Sequence, residues 1–232
     1  MDTQDLTQQS PTLPDWIVFA DDSLVVINKP AGLRSVPDGY DPSLPHLRCV
    51  LEPFLGRLWM VHRLDKDTSG LMVLARDADS HRELNRQFRE HEPVKHYIAR
   101  VAPLPSWDEI SLDAPLRVNA DRGHRTHVDF AMGKPARTDF WVLRRGLAWA
   151  ELDCRLFSGV THQIRAHLYH LGLGILGDPL YQPPQFKAAS KPDVDRMMLH
   201  ASELSFTHPK TGSVLRFQAQ ELMPTMMDVS AE

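Results

Sequence analysis

His62-Arg63-Leu64-Asp65-Lys66-Asp67-Thr68-Ser69-Gly70 runs straight into the apolar Leu71-Met72-Val73-Leu74-Ala75. By residue type this is a polar loop delivered onto a buried strand. Polar groups crowded at the mouth of such a strand are costly to desolvate unless they are paired, so two readings compete. In the first, the stretch is a solvated turn: Asp65 and Asp67 bond the backbone, Thr68-Ser69-Gly70 completes the turn, and Arg63 is a surface charge. In the second, it carries a site. Spacing alone favours the turn, because Asp-rich turns are commonplace and no short motif of known mechanism is matched.

Upstream, Leu24-Val25-Val26-Ile27 is a short β-branched strand, ended by the turn Asn28-Lys29-Pro30-Ala31-Gly32. Residues 1–14 read as a polar, mobile leader, with order beginning near Trp16. Between Asp38 and Leu58, prolines and a glycine leave loop with one short helix near Leu47–Leu55. Downstream, Asp77 or Asp79 caps an amphipathic helix over Ser80–Glu92, with Leu84 and Phe88 on its buried side. Its polar side mixes Arg82, Arg86 and Arg89 with Glu83 and Glu90, as a salt-bridged solvated face does. Pro93 ends the helix, and Lys95–Val101 alternates like a strand in which Tyr97 reads as a core or cross-strand aromatic.

Residues 115–145 hold seven Lys and Arg against three Asp, between turns at Gly123 and Gly133. That excess suits either a nucleic-acid backbone or a solvated hairpin surface. Ala150–Leu156 alternates as a half-buried strand. Thr161 is predicted to cap a helix whose buried stripe is Ile164, Leu168 and Leu171, with Arg165 on its flank. Residues 182–195 read as an exposed loop. Met197–Phe206 and Val214–Phe217 read as strands joined by a turn at His208–Gly212.

The 232 residues carry a formal net charge of -4, which argues against a polyanionic partner until its distribution is considered. Residues 1–25 and 219–232 hold eight acids and no base, so the middle of the chain has 26 bases against 22 acids. A local groove there can attract phosphate. No apolar run approaches the roughly 20 residues that span a bilayer, and the N-terminus lacks a signal core, so an unexported, cytoplasmic protein is expected. Cys49 and Cys154 read as two buried thiols. His91 and His96 are one residue too far apart for a zincin, with Pro93 between them, and His167 and His170 lack an acidic or thiol partner. There is no nucleophile elbow, P-loop or dinucleotide fingerprint. Neither a metal nor an organic cofactor is expected.

The nonapeptide resembles the HRLDxxTSG signature of the RluA family of pseudouridine synthases, enzymes that isomerise selected uridines within RNA. Further stretches resemble the family's motifs in the same order. Asn28–Gly32 is similar to NKPxG, and Lys95–Ala99 to KxYxA. Thr161–His167 is similar to the end of GRTHQIRxH, departing at Val160, where the family usually has Arg. Gly174–Tyr181 is similar to GxPILGDxxY, and Leu199–Gly212 to LHAxxLxFxHPxTG. The resemblance spans roughly residues 20–218, and the N-terminal S4-type module that many members carry is not expected in the short stretch before it.

The resemblance implies an α+β fold: a mixed, mostly antiparallel central sheet with flanking helices and a central active-site cleft. One catalytic domain over 15–222 is expected, between the leader and a flexible tail at 223–232. It implies Asp65 as the catalytic carboxylate, paired with Arg165, and Tyr97 packed on the target base. An adjacent guanidinium favours the charged carboxylate and orients it. Arg63 is a candidate to fill the place of a flipped uridine. His62, Thr68, His162, Gln163 and Ile164 join it as RNA-binding candidates, and Lys29 is either a phosphate contact or a structural charge. The expected partner is structured RNA, stem-loops of 23S rRNA and/or the tRNA anticodon, bound by a monomer. Competing readings are a catalytically silent RNA-binding relative, a single-substrate tRNA enzyme, and a carboxylate-dependent hydrolase, which needs two carboxylates about 5–10 Å apart.

Overall fold

The computed structural model describes residues 13–219. The expected tail, and the leader before residue 13, lie outside them. The strands are β1 (Ile17–Ala20), β2 (Leu24–Lys29), β3 (Trp59–Met60), β4 (Ser69–Ala75), β5 (Val94–Ala102), β6 (Glu109–Asp113), β7 (Leu116–Arg117), β8 (His127–Val128), β9 (Arg137–Arg145), β10 (Ala150–Leu156), β11 (Gly174–Ile175), β12 (Leu199–Thr207) and β13 (Val214–Gln218). The helices are α1 (Leu47–Leu55), α2 (Ala78–Arg89), α3 (Gln163–His170) and α4 (Pro184–Ala188). The short α4 lies where a loop was expected.

The strands other than β7 and β8, which pair with each other, form one sheet in the order β1-β2-β4-β12-β5-β10-β9-β6, with β3 on β4, β11 on β5 and β13 on β12. Every pairing in this sheet is antiparallel except one. β12 runs parallel to β4, matching His200 with Ser69 and Ala201 with Gly70. This two-residue seam joins β1–β4 to the rest of the sheet, and the polar loop of Asp65 enters β4 there.

Leu24–Ile27 of β2 and Leu71–Ala75 of β4 are unbroken apolar runs because both faces of the sheet are covered there. Val25, Ile27, Met72 and Leu74 face a large core with Leu47 and Leu51 of α1 and Ile164 and Leu168 of α3. Leu24, Val26, Leu71 and Val73 face the opposite side with Leu84 of α2. Asp77 caps α2, accepting from the Ser80 N–H at 2.9 Å. Of the two cysteines only Cys154 is buried; Cys49 is exposed on α1, which corrects the reading of two buried thiols.

Gly70 fixes the seam. Its φ is +116°, and a Cβ there would lie 2.3 Å from the Ala201 carbonyl oxygen of β12. Gly70→Ala is therefore expected to cost on the order of 3 kcal/mol, combining a disfavoured backbone with a backbone clash. Urea denaturation checks it: an unchanged midpoint would show that the seam relaxes freely.

Candidate active site

The loop before β4 is held from below by the turn after β2. Lys29 is fully buried, and its ammonium donates to the carbonyls of Pro30, Leu33 and Lys66 at 2.9, 2.8 and 3.0 Å. Gly32 N–H donates to the Lys66 carbonyl at 2.9 Å, and Ser35 Oγ donates to the Leu64 carbonyl at 2.7 Å. All three Lys29 donors are spent on backbone, so Lys29 is a structural charge and not a phosphate contact. Burial pushes its pKa down to about 8 against the opposing pull of Asp67 and Asp65.

These supports present Asp65 at one wall of a cleft of about 770 Å³. Arg165 on α3 reaches it from the other wall, its Nη1 donating to Asp65 Oδ2 at 2.9 Å. The same guanidinium grips Asp178 in a fork, through Nε at 2.7 Å and Nη2 at 2.9 Å. The Asp178 side chain is 0% exposed, Arg165 8% and Asp65 20%, so one buried carboxylate anchors the cation and the more open one faces the cavity. Burial alone would lower the Arg165 pKa; the two carboxylates outweigh it and push it up. Arg165 is fixed as a cation, with donors in the plane a carboxylate pair requires.

Asp178 is itself built into its loop. Its Oδ1 accepts from Leu180 and Tyr181 N–H at 2.8 and 3.1 Å. Gly177 before it has φ +75°, and a Cβ there would sit 2.0 Å from the Arg196 carbonyl oxygen. The Tyr181 ring lies under the guanidinium, 4.8 Å from its central carbon. Asp178 and Tyr181 are site residues to which sequence reasoning gave no role.

α3 departs from expectation at its start and around its circumference. The residue preceding its first turn is His162, left-handed at φ 57°, with no side-chain cap, so Thr161 is not the N-cap. Every residue from Gln163 to Leu168 is buried, so the covered surface of α3 is wider than the stripe of Ile164, Leu168 and Leu171. The Thr126 N–H donates to the Tyr181 hydroxyl at 2.7 Å, and the hydroxyl lies 3.0 Å from His162 Nδ1. On the other side of the ring, His162 Nε2 lies 3.6 Å from Asp65 Oδ2. Burial lowers the His162 pKa although Asp65 opposes it.

The other candidates separate into cleft walls and scaffold. Tyr97, 8% exposed on β5, lines the cleft, and its hydroxyl has no hydrogen-bond partner among the described residues. Burial and then Asp65 push its pKa up, so it stays a neutral phenol. Thr68 and Ile164 are buried and line the cleft, while Arg63 is exposed at its mouth. His62 lies against Phe88 with ring centroids 4.4 Å apart, and its Nε2 accepts from the Val73 N–H at 3.1 Å. Burial first, then Lys95, pushes its pKa down to about 3, so it presents a neutral ring and not a cation to an RNA. Gln163 also lines the cleft, with its side chain tied to the scaffold. Its amide donates to the Arg137 carbonyl at 2.9 Å and Thr138 Oγ1 at 3.0 Å, and its Oε1 accepts from Ser158 Oγ at 2.8 Å.

The basic stretch 115–145 contributes less open charge than its composition predicts. Arg125, Arg137, Arg144 and Arg145 pair with Asp121, Asp139, Glu151 and Asp108 at 2.7, 3.2, 3.0 and 2.6 Å. Lys134 is exposed and lines the cleft, as does Arg89 of α2. Arg86 is tied down by Glu83, as a salt-bridged face requires. Val160 packs beside the cluster of Leu116, Ala136, Ala166 and Tyr181, so its contribution here is apolar contact.

Residues 23–170 match the family described as RNA pseudouridylate synthase. The chain is 37% identical over 213 residues to the dual-specificity RNA pseudouridine synthase RluA of Escherichia coli (strain K12), covering 90% of this chain and 95% of that protein. It is 40% identical over 223 residues to the RluA of Haemophilus influenzae, covering 93% and 98%. Among solved structures, human RNA pseudouridylate synthase domain containing 4 superposes with a TM-score of 0.70 at 28% identity, over 88% of this chain and 87% of that one. No helix among the described residues is long and apolar enough to cross a membrane. With a mixed, mostly antiparallel sheet opened by a cleft, and with these relatives, the chain belongs to the RNA pseudouridylate synthase family, isomerases that convert uridine in RNA to pseudouridine.

Proposed function

We propose that Asp65 is the catalytic carboxylate and that the substrates are stem-loops of 23S rRNA and of tRNA. The observation that carries the site assignment is that Asp65 is the only carboxylate lining the cleft among the described residues, held there by an arginine that is itself anchored behind it. A hydrolase working through two carboxylates would need a second one in the cavity. A silent binding relative would have no use for a buried arginine aimed at an open carboxylate. The substrate assignment rests on the dual-specificity relatives.

A stacked uridine cannot reach Asp65, so the target is flipped into the cleft at a cost of a few kcal/mol. Arg63 at the mouth is placed to fill the vacated position, and Tyr97 supplies a neutral aromatic wall for the uracil face. Asp65 then either attacks the nucleotide or removes a sugar proton. In both routes the C1′–N1 bond breaks, the base rotates, C1′–C5 forms, and C5 gives up its proton. Atoms are conserved, so no redox partner enters the balance. The enzyme acts as a cytoplasmic monomer, with residues 15–222 as one catalytic domain.

RNA tritiated at uridine C5 tests this. Wild-type protein should release tritium from both a 23S rRNA fragment and an anticodon stem-loop. Release from the tRNA substrate alone would reduce the assignment to a single-substrate enzyme, and release from neither would overturn it.

A further inference from the structure

Two lysines are buried beside the cleft, and their ammonium groups are satisfied in different ways. Lys29 spends all three donors on carbonyls. Lys95, on β5, is 8% exposed and donates only to the Ser158 carbonyl, at 3.1 Å. No carboxylate lies within ion-pair distance of it among the described residues. Burial pushes its pKa down to about 8, and no neighbouring acid resists. A buried ammonium without a counter-charge and with donors to spare is an expensive feature for a scaffold to carry.

Its position says what those donors meet. Lys95 and Tyr97 are two residues apart on a strand, so they share one face, and both line the cleft. The backbone phosphates of an RNA must stay at the cleft mouth, where Arg63, Arg89 and Lys134 lie. Only the flipped base goes deep enough to reach Lys95. The polar atoms a uracil ring offers a donor are its two carbonyl oxygens. These oxygens take up the electron pair released when the bond from N1 to the sugar breaks. Arg165 is already held by two carboxylates, with three of its five N–H groups on Asp178 and Asp65, whereas Lys95 has no counter-charge among the described residues.

We propose that Lys95 is a second catalytic residue: its ammonium donates to a carbonyl oxygen of the flipped uracil and stabilises the charge the ring acquires as C1′–N1 breaks. The pair of electrons moves from that bond into the ring, spreads onto the carbonyl oxygens, and returns when the ring attacks C1′ through C5. The C5 proton then leaves to solvent. Lys95 enters and leaves the cycle as a cation. This inference rests on the isomerase reading of the cleft.

Lys95→Gln keeps a donor for Ser158 while removing the charge. In single turnovers with excess enzyme on a stem-loop substrate, it should lose about 100-fold in rate, as removal of one preorganised donor to a developing anion does, with RNA affinity within about threefold of wild type. The decisive comparison uses the same stem-loop carrying 5-fluorouridine at the target position. Fluorine stabilises the departing uracil anion, so the loss in Lys95→Gln should shrink on that substrate, read as disappearance of 5-fluorouridine by chromatography, since a fluorinated C5 has no proton to give up and the sequence stops once C1′–C5 has formed. A structural lysine would slow both substrates equally. Equal losses, or a rate within about threefold of wild type on ordinary uridine, would overturn the proposal. If thermal melting shows Lys95→Gln unfolded, Lys95→Met carries the same comparison. Inactive wild type would instead remove the isomerase reading, before Lys95 is tested.

Discussion

Asp65→Ala is expected to abolish tritium release from C5-labelled RNA, by at least about four orders of magnitude, while RNA affinity stays within about threefold of wild type. The reason lies in how the carboxylate is held. Asp65 is joined to Arg165 through one oxygen, and Arg165 keeps its fork on Asp178 when that oxygen is gone. Removing the side chain therefore leaves no orphaned buried charge, and the cleft should survive it. No other carboxylate lines the cavity to take over the role. Asp65→Asn sharpens the test, since it keeps shape and hydrogen bonding but can neither attack nor accept a sugar proton. Measurable turnover in either variant would sink the assignment of Asp65. Loss of binding together with turnover would mean that Asp65 also shapes the RNA surface.

The second large effect is expected at Asp178, which does not itself line the cleft. Asp178→Ala should cost about 3–5 kcal/mol in stability, because it takes from the buried Arg165 two of its three side-chain hydrogen bonds and frees two N–H groups of the loop. Activity should fall as well, measured at a temperature where the variant is folded, since the guanidinium no longer has a fixed plane in which to hold Asp65. Asp178→Asn separates the two effects: it can retain the acceptor for Leu180 and Tyr181 N–H while losing the charge that balances Arg165. Urea midpoints and single-turnover rates for the pair are the measurement. A stable, fully active Asp178→Ala protein would show that Asp65 alone suffices to position Arg165.

Much of this was legible in the chain. The apolar runs at Leu24–Ile27 and Leu71–Ala75, the helix behind Asp77, and the alternation of Ala150–Leu156 all correspond to elements in place. Local rules read these because burial imprints period and composition on neighbouring residues. The pairing of Asp65 with Arg165 was reached through resemblance, since a contact across 100 residues leaves no local trace. The same limit explains why Lys29 stayed open between phosphate contact and structural charge and why the side-chain bonds of Gln163 were not foreseen. Both lie in motifs beside the site, and a motif marks that a residue matters without saying whether it touches substrate or backbone. Asp178 carried one usable signal: an acid following the apolar Ile175-Leu176-Gly177, with no base beside it in sequence. Such an acid needs a distant partner. The start of α3 was misread because a left-handed His162 substitutes for the cap that Thr161 would have supplied.

The parallel seam has a consequence for when the protein becomes competent. β1, β2, β3 and β4 pair only among themselves and with β12, and β5 with its neighbours reaches them only through β12. During synthesis the first group can assemble from residues 17–75 and the second from residues 94–175, each from strands close in sequence. The strand that fastens them together is made near the end of the chain, at 199–207. Until it docks, the loop bearing Asp65 and the helix bearing Arg165 are linked by side-chain packing in the shared core and by no strand pairing. A growing chain therefore lacks the strand pairing that sets the two sides of the cleft in register until one of its later strands has been made.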